Sequence, residues 1–195
     1  MKKAFLTLSI PAAIILVALV ACRDNKPAKT VIAKVNQDSL IQRGSYLVTT
    51  MLCDDCHSPK KMGQNGPEII PELRLSGFRH DNQLPPVDTT EIKKGWTLFN
   101  PDLTSAVGMW GASFSANLTS DPSGIGNWTE EQFFTALRKG KWKGMEGNRD
   151  LLPPMPWHNI GKLKDDDLKA VFAFLKSTKP VDNLVPAPKT LAELK

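Results

Sequence analysis

Cysteine and histidine are scarce: the 195 residues include only three of each. Three thiols cannot staple a multi-disulfide scaffold. They also leave no second Cys/His cluster to complete a tetrahedral zinc site of about four protein ligands. No internal repeat runs through the chain, so solenoids and propellers are excluded. Neither sign of charge dominates either. Twenty-five basic residues face 20 acidic ones, a formal net charge of +5. No basic stripe interleaved with aromatics points to nucleic acid.

The few cysteines that are present occupy informative positions. Cys53-Asp54-Asp55-Cys56-His57 has the C-x-x-C-H spacing of covalent haem c attachment. Two thiols so spaced reach one edge of a porphyrin as thioethers, and the next residue brings an imidazole to the iron from one face. A redox dithiol of the thioredoxin kind follows a strand and opens a helix. Here the preceding stretch, Ser39 to Leu52, reads as a helix that ends at the motif. His80 and His158 stand apart from each other and from any thiol. A single motif predicts one haem c.

The third cysteine closes an export signal. Lys2 and Lys3 form a basic start, and Ala4 to Val20 form an apolar run interrupted only by Thr7, Ser9 and Pro11. Leu19-Val20-Ala21-Cys22 then resembles a bacterial lipobox, which predicts lipidation at Cys22 after removal of residues 1–21. An uncleaved anchor is the rival, but Ala21 and the abrupt polar Arg23-Asp24-Asn25-Lys26 favour cleavage. The expected organisation is a signal at 1–21, a membrane tether at 22–37, a single domain at 38–179 and a C-terminal tail at 180–195, either surface-hugging or loose.

Three helices are expected in that domain. Ser39–Cys53 carries a capping-box pattern at Ser39 and Gln42, and Gly44 invites close approach of another helix. Glu130–Lys139 has Thr129 and Gln132 as a capping box and Gly140 as its stop. Asp165–Ser177 places Leu168, Val171, Phe172 and Leu175 at helical spacing behind an acidic first turn. Between His57 and Glu130 little regular pattern is visible, and long loops around a large apolar cofactor are expected there.

The sixth iron ligand sets the chemistry. Met51 and Met62 lie too close to His57 in sequence, which leaves Met109, Met145 and Met155. Met155 stands among Pro153, Pro154 and Pro156, and proline holds the backbone stiff and its predecessor out of the α region. Met155 is favoured; Met145 is the runner-up, and His158 or His80 would give a bis-histidine site.

The C-x-x-C-H motif, the segment Pro153-Pro154-Met155-Pro156-Trp157 and the helix around Asp166–Leu175 together resemble a class I cytochrome c. Ser115-Ala116-Asn117-Leu118-Thr119-Ser120-Asp121-Pro122 and Gly124-Ile125-Gly126-Asn127-Trp128 are similar to the cytochrome c subunits of bacterial alcohol and aldehyde dehydrogenases. The resemblance spans about residues 43–179. It implies an all-α class I cytochrome c fold whose long loops wrap one covalently bound haem. It assigns haem thioethers to Cys53 and Cys56 and axial iron ligation to His57 and Met155. It also implies single-electron transfer from a dehydrogenase-type donor to an oxidase or another cytochrome, rather than catalysis. Together with Cys22, that places the protein lipid-anchored to a membrane on the periplasmic side of a bacterial envelope. The competing class is a peroxidase-like haem enzyme or a gas or redox sensor with a labile sixth ligand. Lys60 and Lys61, just past the motif, are expected to steer redox partners.

Overall fold

The computed structural model describes residues 36–194. The expected signal, the lipidation position Cys22 and nearly all of the expected tether lie outside those residues. Helix α1 (Gln37–Thr50) begins just inside the stretch assigned to the tether, capped by the Asn36 side chain, which accepts from the Asp38 amide at 3.1 Å. It stops before the C-x-x-C-H motif. Leu52 adopts a left-handed conformation (φ 60°), and a separate short helix, α2 (Cys53–His57), starts after it.

Two small antiparallel sheets follow. Strands β1 (Lys60–Gly63) and β2 (Gly66–Ile69) form a hairpin. Helix α3 (Thr89–Lys93) leads to β3 (Leu98–Phe99), β4 (Ser105–Gly108) and β5 (Gly111–Phe114), which pair in that order. Helix α4 (Glu130–Lys139), the single turn α5 (Trp157–Ile160) and α6 (Asp165–Lys176) complete the elements. The all-α expectation is therefore corrected: the described residues form a mixed architecture of helices with two small sheets. The reason lies in the stretch after His57. There the pairing uses strands of two to four residues joined by tight turns, rather than open loops alone.

The three expected helices are present. In α4 the capping box is complete: Thr129 Oγ accepts from the Gln132 amide, and Gln132 Oε1 accepts from the Thr129 amide. Gly140 ends it in the left-handed conformation that glycine adopts without strain. Helices α1 and α6 pack against each other, and Gly44 makes this possible. A Cβ at position 44 would run into the Ala170 carbonyl and Phe174. Leu47 and Val48 from α1 and Leu168, Val171 and Leu175 from α6 join Leu75, Ile125, Phe133 and Leu137 in the main core. Burying each such side chain contributes about 1.5–3 kcal/mol. A smaller core under the three-stranded sheet holds Ile92, Val107 and Ala112, with Leu191 and Leu194 against it.

The segment after α6 is tied into the body. Asn183 is fully buried. Its amide nitrogen donates to the Ser76 and Phe78 carbonyls at 2.7 and 2.9 Å, and its oxygen accepts from the His80 amide at 2.9 Å. Further on, Lys189 pairs with Ala112 in both directions.

Candidate haem-attachment site

Helix α2 is one turn and a half of chain, so Cys53 and Cys56, three positions apart, share a face. His57 closes the helix and is buried. Both cysteines are partly buried. Burial, with the Asp54 charge adding to it, pushes the Cys53 thiol up to about 11. Burial also raises Cys56, against the opposing pull of Lys60. Reactive dithiols do the opposite and lower a thiol to about 3.5–7.5.

His57 is held at two points. Its Nδ1 lies 2.8 Å from the Ala116 carbonyl oxygen, and its own carbonyl accepts from the Gly77 amide at 2.8 Å. A carbonyl only accepts, so Nδ1 carries the proton and Nε2 keeps its lone pair for a metal. Burial is the main influence on the ring and lowers its pKa, outweighing the Ala116 bond and Asp54, so the imidazole is neutral, the ligating form. Gly77 has φ 75°, and a Cβ there would meet Ser115 and Ala116. Only glycine lets the loop at 115–116 come close enough to hold the ring.

Asp54, inside the motif, faces inward. Arg74 donates to its carboxylate from Nε and Nη2 at 2.9 and 2.7 Å, and Ser58 Oγ donates at 2.7 Å. Ser58 Oγ in turn accepts from the Leu75 amide at 2.9 Å. This network anchors the underside of α2.

Across the core, Met155 follows the cis Pro153–Pro154 bond and precedes α5. It is half-buried and packs against the same apolar cluster that Cys53 borders. Met62, Met109 and Met145 are each more than half exposed. His80 Nδ1 lies 3.1 Å from the Asn183 oxygen, on the segment after α6. His158 is exposed and stacks edge-on to Trp157. Among the described residues, no group of three or more His, Cys, Asp or Glu side chains is arranged to hold a metal ion. Two cysteines on one face of α2 and an adjoining imidazole whose Nε2 is left to ligate fit a flat group carrying its own metal.

Gly77, Ala116, Arg74 and Ser58 were not singled out from the sequence. Their roles depend on loops brought together only by the fold. The one available signal was Asp54, an acidic residue within an attachment motif that needs a buried partner.

The family profile described as Cytochrome c matches residues 41–179. The fructose dehydrogenase cytochrome subunit of Gluconobacter japonicus is 32% identical over 152 residues, 77% of this chain and 23% of that protein. The cytochrome c subunit of the quinone alcohol dehydrogenase of Gluconobacter oxydans (strain 621H) is 44% identical over 73 residues, 36% of this chain and 15% of the relative. The gluconate 2-dehydrogenase cytochrome c subunit of Pantoea cypripedii is 27% identical over 161 residues, 79% of this chain and 28% of that subunit. The chain thus spans under a third of the length of each of these relatives.

Proposed function

Because the chain belongs to the cytochrome c family, whose cofactor is covalently bound haem c, we propose that it carries single electrons between a dehydrogenase-type donor and a respiratory acceptor. The relatives are named as cytochrome subunits of dehydrogenases, which supports electron transfer rather than catalysis. In this reading Cys53 and Cys56 hold the haem as thioethers, and His57 and Met155 supply the two axial ligands. When bound, haem provides a one-electron ferric/ferrous couple, and a methionine ligand raises its potential relative to bis-histidine ligation.

The chain's own residues do the rest. The Ala116 carbonyl orients His57, Gly77 admits that carbonyl, and Asp54 with Arg74 and Ser58 fixes the helix bearing both thiols. Covalent attachment keeps the cofactor in place outside the cytoplasm. We further propose that residues 1–21 are removed and that lipid on Cys22 tethers the domain, through residues 22–37, to a bacterial membrane on its periplasmic side. Among the described residues, no helix is long and apolar enough to cross a membrane.

The observation that carries the reading is the buried His57, its Nδ1 2.8 Å from the Ala116 carbonyl oxygen, at the end of a helix that sets Cys53 and Cys56 on one face. Its test is simple. Haem should stay with the polypeptide through acid–acetone extraction in the wild type and be lost from the Cys53→Ala/Cys56→Ala variant. Reduced protein should not bind carbon monoxide readily; ready binding would favour a haem enzyme or sensor instead. Cys22→Ser should move the protein from the membrane to the soluble envelope fraction.

A further inference from the structure

Lys60 is spent inside the molecule. Its ammonium donates to the carbonyls of Asp55 at 2.6 Å, Ser58 at 3.0 Å and Asp102 at 2.9 Å. An ammonium has three N–H donors, so this set saturates it. Asp55 and Ser58 bracket Cys56 and His57 in sequence, which puts the cation beside the motif's last turn. The third carbonyl comes from the loop before β4, and that loop is itself rigid. Asp102 Oδ1 accepts from the Thr104 amide and hydroxyl at 3.1 and 2.6 Å and from Asn100 Nδ2 at 2.6 Å.

All three partners of the ammonium are carbonyl dipoles. Among the described residues no carboxylate forms an ion pair with it; Asp54 is paired with Arg74, and Asp55, between the two cysteines, is exposed to solvent. Lys61, one position on, is exposed.

We propose that Lys60 is a positioning residue whose caged charge biases the haem site toward its reduced form. Reduction adds one electron from the donor protein to the iron, forms and breaks no bond, and lowers the local charge by one. A fixed cation nearby stabilises the state with the extra electron. Because three carbonyls hold the cation in place, its effect differs from that of a mobile surface lysine that salt screens. The inference rests on haem attachment at Cys53 and Cys56.

Redox titration of the full haem-bearing protein tests it. Lys60→Gln, which keeps donors but loses the charge, is expected to lower the midpoint potential. Lys60→Arg and Lys61→Gln are expected to stay near the wild type. An unmoved potential in haem-bearing Lys60→Gln overturns the proposal, as does an equal fall in Lys60→Arg or Lys61→Gln. If Lys60→Gln yields no haem-bearing protein, the wild-type potential decides between about 0.05 and 0.5 M salt. A caged cation predicts little change, and a marked fall overturns it. Absence of covalent haem from the wild type would instead defeat the reading of the attachment site itself.

Discussion

Replacing Arg74 with leucine would strand a carboxylate under the attachment helix. The Asp54 side chain is 13% exposed and that of Arg74 38%. Removing one partner of a fully buried pair costs about 3–5 kcal/mol, while an exposed pair contributes about 0–1 kcal/mol. The partial exposure of Arg74 puts this pair between those limits, so Arg74→Leu is expected to lose about 2 kcal/mol at pH 7. Leucine keeps part of the packing that the guanidinium makes over the Phe174 ring, 5.6 Å from its centroid.

The pH dependence supplies an independent signature. Burial opposes the Asp54 charge, but the hydrogen bonds from Arg74 and Ser58, together with the Arg74 charge, outweigh it. They hold the carboxyl below its ordinary 3.8. A carboxyl depressed on folding contributes stability that is fully present above its unfolded pKa of about 3.9 and is lost as pH falls through the folded value. The difference between wild type and variant should therefore be full at pH 7 and shrink below about pH 4. Urea unfolding of the haem-bearing proteins across that range measures it. A loss under about 0.5 kcal/mol at pH 7, or a loss that does not change with pH, refutes the reasoning.

Three further substitutions probe the frame around the site. Gly44→Leu should destabilise by about 1–3 kcal/mol or more through overpacking against Ala170 and Phe174, read as a fall in thermal midpoint; an unchanged midpoint would mean α1 and α6 can part freely. Gly77→Ala combines a positive φ with a clash at Ser115 and Ala116, costing about 1–3 kcal/mol. It should also disturb His57 in the ferric spectrum, where an unaltered spectrum would remove Gly77 from the site. Asn183→Ala leaves the Ser76 and Phe78 carbonyls without their buried donor. A loss of about 2–4 kcal/mol in urea is expected, whereas a neutral result would show the last segment to be dispensable.

Features governed by local rules were legible in the sequence. The capping box at Thr129 and Gln132, the stop at Gly140 and the close approach at Gly44 each depend on residues within a turn, or on the absence of one side chain. The two sheets were not. Strand β4 is buried at all four positions and built from Ser, Ala, Val and Gly, so no alternation betrays it, and β3 has only two residues. The break at Leu52, which separates α1 from α2, lacks a glycine or proline to announce it.

At the site, the C-x-x-C-H spacing was visible but its supports were not. Ala116 and Gly77 act through the backbone, which side-chain identity does not encode. Lys60 looked like a surface charge for steering partners, and its three carbonyl partners become apparent only once the loop at Asp102 is in place. Asn183 sits in a proline-punctuated segment without periodicity, and its role follows from long-range contacts alone.

The proposed electron-carrier role rests on Met155 as the sixth iron ligand. The most direct test is the weak far-red sulfur-to-iron band of the oxidised protein, recorded for the wild type, Met155→Ala and Met145→Ala. With Met155 as ligand, the band is expected in the wild type and in Met145→Ala and is lost in Met155→Ala alone. A band that survives in Met155→Ala, or that is absent from the wild type, would contradict it.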